Sequence, residues 1–292
     1  MNYKYNEFDY AKLIFENGFQ TNHIPTELRL LAIYMRRILE YKPKMLKEEM
    51  YKFCIDKMPD YNHVKNYKVI NRAILQATKK DSTLIKIDKI DIYDYEVNYI
   101  NTLSICDVNG KIPTYKDDCL KLIFTLLCKM KLNKIISKQK NGKESIGIYF
   151  KGGNQKYNEL KNVAKISEKI KINEEIINIL SQCKVVTIMF NGLIKLNFME
   201  DINKLNKEIQ DYKTLISVIN YENIGWYWDY YNSICNIKLC KYCNQPFKKS
   251  AKRQDYCSNE CFNEYRRIYK TNKQQEYRNN VDSFIVFESL NP

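Results

Sequence analysis

The sequence predicts a mainly α fold with small β elements (α+β): a helical N-terminal domain, a winged-helix-like middle domain and a C-terminal four-cysteine zinc finger. Three observations carry that prediction. Apolar residues recur at helical spacing early in the chain, as at Leu28, Leu31, Ala32 and Met35. The middle of the chain runs helix, strand, helix, helix, hairpin. Four of the ten cysteines fall in two close pairs, Cys240-Lys-Tyr-Cys243 and Cys257-Ser-Asn-Glu-Cys261.

Residues 1–110 form the helical N-terminal domain. Phe8–Asn17 is a helix that breaks at Gly18 and Pro25, and Thr26–Glu40 is the next. Pro43 opens a third, with Met45, Met50, Phe53 and Cys54 on its apolar face. A fourth, Val64–Thr78, places Val69, Ile70, Ala73, Ile74 and Ala77 on one side. Ser82–Ile92 reads as a short strand before a helix around Tyr95–Leu103, and Asp107–Thr114 is a loop at the first domain boundary.

Residues 115–200 are the winged-helix-like domain. Asp117–Ile136 is a strong helix, followed by a turn at Asn141-Gly142 and a strand over Ile146–Phe150. Helices follow near Tyr157–Ser167 and over Asn173–Cys183. Lys184–Phe190 and Leu193–Phe198 flank Asn191-Gly192, a strong hairpin signal because both residues tolerate positive φ. This order is that of a helix-turn-helix variant with a β wing. Residues 201–235 are a linker helix, Asp201–Asn220, and an aromatic segment holding both tryptophans, Trp226 and Trp228. Residues 236–292 are the finger, its basic helix and a tail whose Phe284–Phe287 is expected to dock as a strand.

The bulk composition narrows the function classes. A chain of 292 residues with 45% apolar content can bury real cores. Its longest apolar runs, such as Leu120–Cys128, are too short to span a bilayer, and the N-terminus lacks a signal peptide's apolar core. Cys54, Cys106, Cys119, Cys128, Cys183 and Cys235 lie scattered in apolar patterns and read as buried free thiols. A cytoplasmic protein is expected. The two histidines fall in the N-terminal region, no P-loop or nucleophile elbow is present, and the paired carboxylates are sequence neighbours that do not share a helix face. These features point away from an enzyme and from a small-molecule substrate.

The two cysteine pairs have a specific chemistry. Thiolates two residues apart can turn toward one ion, and a pair at i and i+4 faces one side of a helix's first turn. Cys240, Cys243, Cys257 and Cys261 are therefore expected to hold one structural Zn²⁺, with no open position for a substrate.

The formal net charge is +14, which favours an anionic partner, nucleic acid above all. An A/T-rich genome inflates lysine, but half of the eight arginines (Arg253, Arg266, Arg267 and Arg278) fall in the last forty residues. From Lys238 to Asn280 there are eleven Lys/Arg against four Asp/Glu, about half of the chain's excess charge. Lys248, Lys249, Lys252, Arg253, Arg266, Arg267, Lys270 and Lys273 are the expected nucleic-acid contacts, with DNA favoured over RNA. Part of this charge also offsets the −2 centre that four thiolates make with Zn²⁺. Trp226 and Trp228 either seat the finger or offer a stacking or interface platform, and seating is the favoured reading. The third helix of the middle domain carries Glu174 and Glu175, and from Val185 to Phe198 the wing bears one charge, Lys195. That domain therefore suits protein contacts as well as DNA.

Leu122–Lys129, Ile179-Leu180 with the following hairpin, and Cys240-x-x-Cys243 with the later run Tyr256-Cys257-Ser258-x-x-Cys261 together resemble a set of phage and mobile-element proteins of low-GC Gram-positive bacteria. These combine a helical N-terminal part, a replication-initiator-like winged helix and a terminal four-cysteine finger. The Tyr-Cys-Ser-x-x-Cys ending is also similar to treble-clef fingers, including MYND-type ones that bind proteins. The resemblance implies zinc ligation by the same four cysteines. It leaves two expectations: a regulatory or replication-associated DNA-binding protein, or a protein-binding inhibitor or adaptor aimed at a host nucleic-acid-handling or immune complex (an anti-defence protein).

Overall fold

The computed structural model describes residues 4–145 and 147–288. The chain is mainly helical with three small sheets among the described residues, as its pattern predicts. It divides into two compact units. The first comprises Met1–Asp91, Leu126–Lys151 and Val186–Gln210; the second comprises Ile92–Thr125, Gly152–Val185 and Asp211–Pro292. Residues 115–200 contribute to both.

In the first unit, α1 (Glu7–Asn17), α2 (Ile24–Arg37), α3 (Pro43–Lys57) and α4 (His63–Thr78) build a dry core. Local signals set their ends. The Asn6 side chain accepts from the Asp9 amide at 3.1 Å, and Pro25 and Pro43 open α2 and α3 where their missing N–H costs nothing. Leu28, Leu31 and Met35 are buried at the centre of this core. On α3 the buried face is Leu46, Met50 and Cys54, while Met45 is exposed, so the apolar stripe lies one residue from its expected start. Burial pushes the Cys54 thiol up to about 12, which makes it inert. The two buried carboxylates of this core are satisfied. Glu27 accepts from Thr21 Oγ1 at 2.7 Å and from the Gln20 amide at 2.9 Å, and Glu7 pairs with Arg29 at 2.9 Å.

The predicted strand over Ser82–Ile92 contracts to β1 (Ile90–Tyr93), with a single bridge between Asn6 and Lys86 before it. α5 (Asp94–Thr102) follows at once, its Glu96 capping the Tyr93 amide at 2.9 Å. α6 (Lys116–Asn141) is the long central helix. β2 (Tyr149–Lys151), β3 (Val186–Ile188) and β4 (Leu193–Leu196) form an antiparallel sheet in the order β2-β4-β3. Tyr149 pairs with Lys195, and Thr187 pairs with Lys195 from the other side. β2 begins later than expected, and Ile146 of the predicted strand lies outside the described residues. The β3–β4 turn is tight, with the Gly192 amide donating to Met189 O at 3.0 Å and Gly192 at φ +73. Phe190 at its tip is wholly exposed, and Ile188 and Met189 beside it are also exposed.

α7 (Asn154–Ala164) belongs to the second unit. The helix expected over Asn173–Cys183 is a π-helical turn, Ile172–Ile177, running into a short α8 (Asn178–Gln182). α9 (Asn197–Glu208) ends well before Asn220. The second half of the predicted linker helix is instead a strand, β5 (Thr214–Val218), in a two-stranded sheet with β1. The reason is legible in Thr214, Ile216 and Val218. β-Branched residues alternate there, and Ile216 and Val218 are the buried pair. α10 (Ile224–Tyr231) carries the aromatic segment. β6 (Ile237–Leu239) and β7 (Pro246–Lys248) pair antiparallel, and α11 (Asn259–Glu288) ends the described chain. The strand expected at 284–287 is part of α11.

No helix among the described residues is long and apolar enough to cross a membrane.

Candidate metal centre

Cys240 and Cys243 sit in the turn of the β6–β7 hairpin. The Asn244 amide donates to Cys240 O at 3.0 Å, and Asn244 takes φ +54, a conformation asparagine accepts readily. The Cys240 amide returns a bond to Gln245 O at 3.0 Å, closing a tight knuckle that turns both sulfurs to one side. Cys257 and Cys261 flank the start of α11. Ser258 caps that helix, its Oγ accepting from the Cys261 amide at 3.2 Å.

These two halves bring four sulfurs together. All four Sγ atoms lie within 4.8 Å of one another, with Cys243–Cys257 at 3.7 Å and Cys257–Cys261 at 3.4 Å. A tetrahedral ion with bonds of about 2.3 Å holds its sulfurs about 3.8 Å apart. The donor set therefore fits one soft divalent cation of the zinc type. The electrostatics agree. Burial raises the Cys240 thiol, but the amides of Cys243, Cys257 and Tyr242 outweigh it and hold it down at about 6. Burial and the neighbouring sulfurs raise Cys257, and burial raises Cys243. Four thiols so close cannot all ionise without a cation among them.

Asp255 stitches the halves from outside. Its carboxylate takes Lys241 Nζ at 2.6 Å and Lys238 Nζ, and the Lys241 amide donates to Asp255 O at 3.0 Å. Tyr256 adds an aromatic contact to Phe262 and Tyr265, with ring centroids 5.4 and 5.3 Å away.

The predicted cations divide into two classes. Arg267 is held by Glu264 at 2.8 Å and Lys273 by Glu276 at 2.9 Å, both as exposed pairs three residues apart on α11. Lys252, Arg253, Arg266 and Lys270 are exposed and meet no carboxylate among the described residues. Lys248 and Lys249 lie at the end of the hairpin, and Lys248 is close enough to Asp229 to lower that carboxyl's pKa. The apolar residues of α11 are solvent-facing, since Phe262, Tyr265, Ile268 and Tyr269 are all exposed.

The two tryptophans lie on α10 and pack differently. Trp228 is buried, with its ring 5.2 Å from Phe124. Next to it Asp229 accepts from Lys121 Nζ at 2.7 Å, an ion pair whose side chains are only 11% and 12% exposed. Trp226 is half-buried under the Lys165 ammonium, 4.9 Å from its centroid, and burial lowers that lysine's pKa. Sequence reasoning missed Gly225. A Cβ there would stand 1.8 Å from the Ala164 carbonyl oxygen, so α10 meets the end of α7 through a bare backbone. It also placed Cys235 with the buried thiols. Cys54, Cys119 and Cys128 are buried, but Cys106 and Cys183, expected with them, are half-buried and Cys235 is exposed.

The chain matches no protein-family model, no curated protein and no solved structure.

Proposed function

We propose that the chain is a non-enzymatic, zinc-stabilised nucleic-acid-binding protein, regulatory or replication-associated, of the mobile-element kind that its motifs resemble. One observation carries this reading. A four-sulfur centre of tetrahedral dimensions fixes a module on which Lys252, Arg253, Arg266 and Lys270 stand exposed without carboxylate partners among the described residues. The metal, held by Cys240, Cys243, Cys257 and Cys261, would supply rigidity rather than chemistry. The order β2-β4-β3 supports a winged helix in the middle segment, because a strand between two helices joins the hairpin's second strand in that fold.

The test is a binding isotherm on DNA over a salt series. The logarithm of affinity is expected to fall linearly with the logarithm of salt, by about 0.9 per phosphate neutralised on duplex. Arg266→Glu is expected to weaken binding with zinc content unchanged, and affinity indifferent to salt would refute the proposal. A protein-binding inhibitor or adaptor is favoured by one specific observation, the apolar β3–β4 tip with Phe190 wholly exposed. A stoichiometric host protein retained from nuclease-treated lysate, and lost with Phe190→Ser, would select that reading.

A further inference from the structure

Beside the metal centre the second unit holds a cleft of about 550 Å³, lined among others by Leu215, Tyr230, Tyr231, Ile237 and Asn244. One wall is β5, which pairs only with β1 among the described residues. The opposite wall is β6 and the knuckle itself, since Asn244 follows the ligand Cys243 directly. Sites for small ligands run from about 300 to 1,000 Å³.

The lining has a distinctive chemistry. Among the described residues, none that lines the cleft is charged. Tyr227 is committed to the fold, its hydroxyl accepting from the amides of Ile219 and Asn220 at 3.2 and 3.0 Å. Tyr230 and Tyr231 are different: they are 45% and 38% exposed, and their hydroxyls meet no partner among the described residues. The Asn244 side-chain amide is equally uncommitted. Two tyrosine side chains and several neutral donors and acceptors thus line one space.

The charge lies at the rim. Ile237 pairs across the ladder with Lys248, which sets Lys248 on the same face of the hairpin as the cleft-lining Ile237. A neutral aromatic recess with an ammonium group on the same face of its hairpin wall is complementary to a flat polar heterocycle joined to a phosphate. An extended peptide would use β5's open edge but gives no reason for that lysine.

We infer that this cleft receives an unpaired base of a single-stranded nucleic acid, stacked on Tyr230, while Lys248 holds an adjoining phosphate. The inference rests on the nucleic-acid reading above and sharpens it from charge recognition to strand state.

The experiment compares three probes on the zinc-loaded full chain by fluorescence anisotropy: a mixed-sequence single-stranded DNA, an abasic strand of equal length, and the duplex. The abasic strand keeps every phosphate and lacks only the bases. The single strand is expected to bind at least tenfold tighter than the abasic one. Tyr230→Ala is expected to remove about five- to a hundredfold of single-strand affinity, as loss of one stacked base does. It should leave zinc content and abasic affinity unchanged, and Tyr230→Phe should retain the stacking gain. Cys235, exposed and lining the cleft, gives a second readout, because single-stranded DNA should protect it from alkylation. Equal, salt-sensitive affinity for the single and abasic strands, or preference for duplex, overturns the cleft assignment and leaves the nucleic-acid reading standing. Salt-sensitive binding to none of the three overturns both.

Discussion

The α1–α4 bundle and the four-cysteine module are held together by opposite means. In the bundle Leu28, Leu30, Leu31, Met35, Leu46 and Met50 are all fully buried, and stability comes from apolar area removed from water. In the module, from Ile237 to Tyr269, only Cys240, Pro246 and Phe247 are buried. So thin a core cannot offset the entropy of ordering the chain, and the sulfurs and the Asp255 links must make up the difference. The difference teaches how each region should fail. The bundle is expected to answer to side-chain volume, and the module to metal.

The most direct way to break the comparison is to remove the metal. Chelation, or Cys257→Ser, is expected to abolish hydrogen-exchange protection across residues 240–262 while the α1–α4 amides keep theirs. Structural zinc contributes about 10–16 kcal/mol of apparent binding free energy in isolated fingers, which exceeds anything else that could hold this module. Loss of protection in both regions at once would show that they are not energetically separate.

Next in size is the Lys121–Asp229 pair, which seats α10. Lys121→Met leaves Asp229 buried and unpaired, and should cost about 3–5 kcal/mol at neutral pH by denaturant titration. Burial already raises both Asp229 and its neighbour Asp118. A carboxyl whose folded pKa lies above its unfolded one binds a proton more readily in the folded state, so the variant's penalty should shrink on acidification. A penalty that grows instead would contradict the assignment.

Leu31→Ala in the bundle should cost about 2–5 kcal/mol with no change in zinc content. Gly225→Ala follows, at about 1–3 kcal/mol or more, because its Cβ meets a carbonyl rather than a flexible side chain. The smallest effect on stability, within about 0.5 kcal/mol, is expected for Arg266→Ala. It should nevertheless lower the salt slope of binding by about one.

Much of this was legible in the residues. Helical periodicity located α1 to α4 and α6, and the cysteine spacing located the metal centre. The rest depended on signals that compete locally. Residues 201–220 carry enough helical pattern to hide the alternation of Thr214, Ile216 and Val218, which decides for strand once Ile216 and Val218 are buried. The four cysteines name the ligands, but nothing in their spacing says that Asp255 will bind Lys238 and Lys241 and take both from the apparent basic patch. Phe262, Tyr265, Ile268 and Tyr269 of α11 share helical spacing and yet are exposed, with the Tyr256 ring against Phe262 and Tyr265. The sequence does not announce the cleft, since its walls come from β5, α10 and β6, and the pattern over β5 reads as helix.

The bare-backbone joint at Gly225 has an evolutionary consequence. Any distant kin that keeps this joint can carry only hydrogen on that α-carbon, whatever has drifted around it. A glycine ahead of an aromatic run, fifteen positions before the first of the four cysteines, is therefore a sparse signature for finding kin where overall similarity has faded.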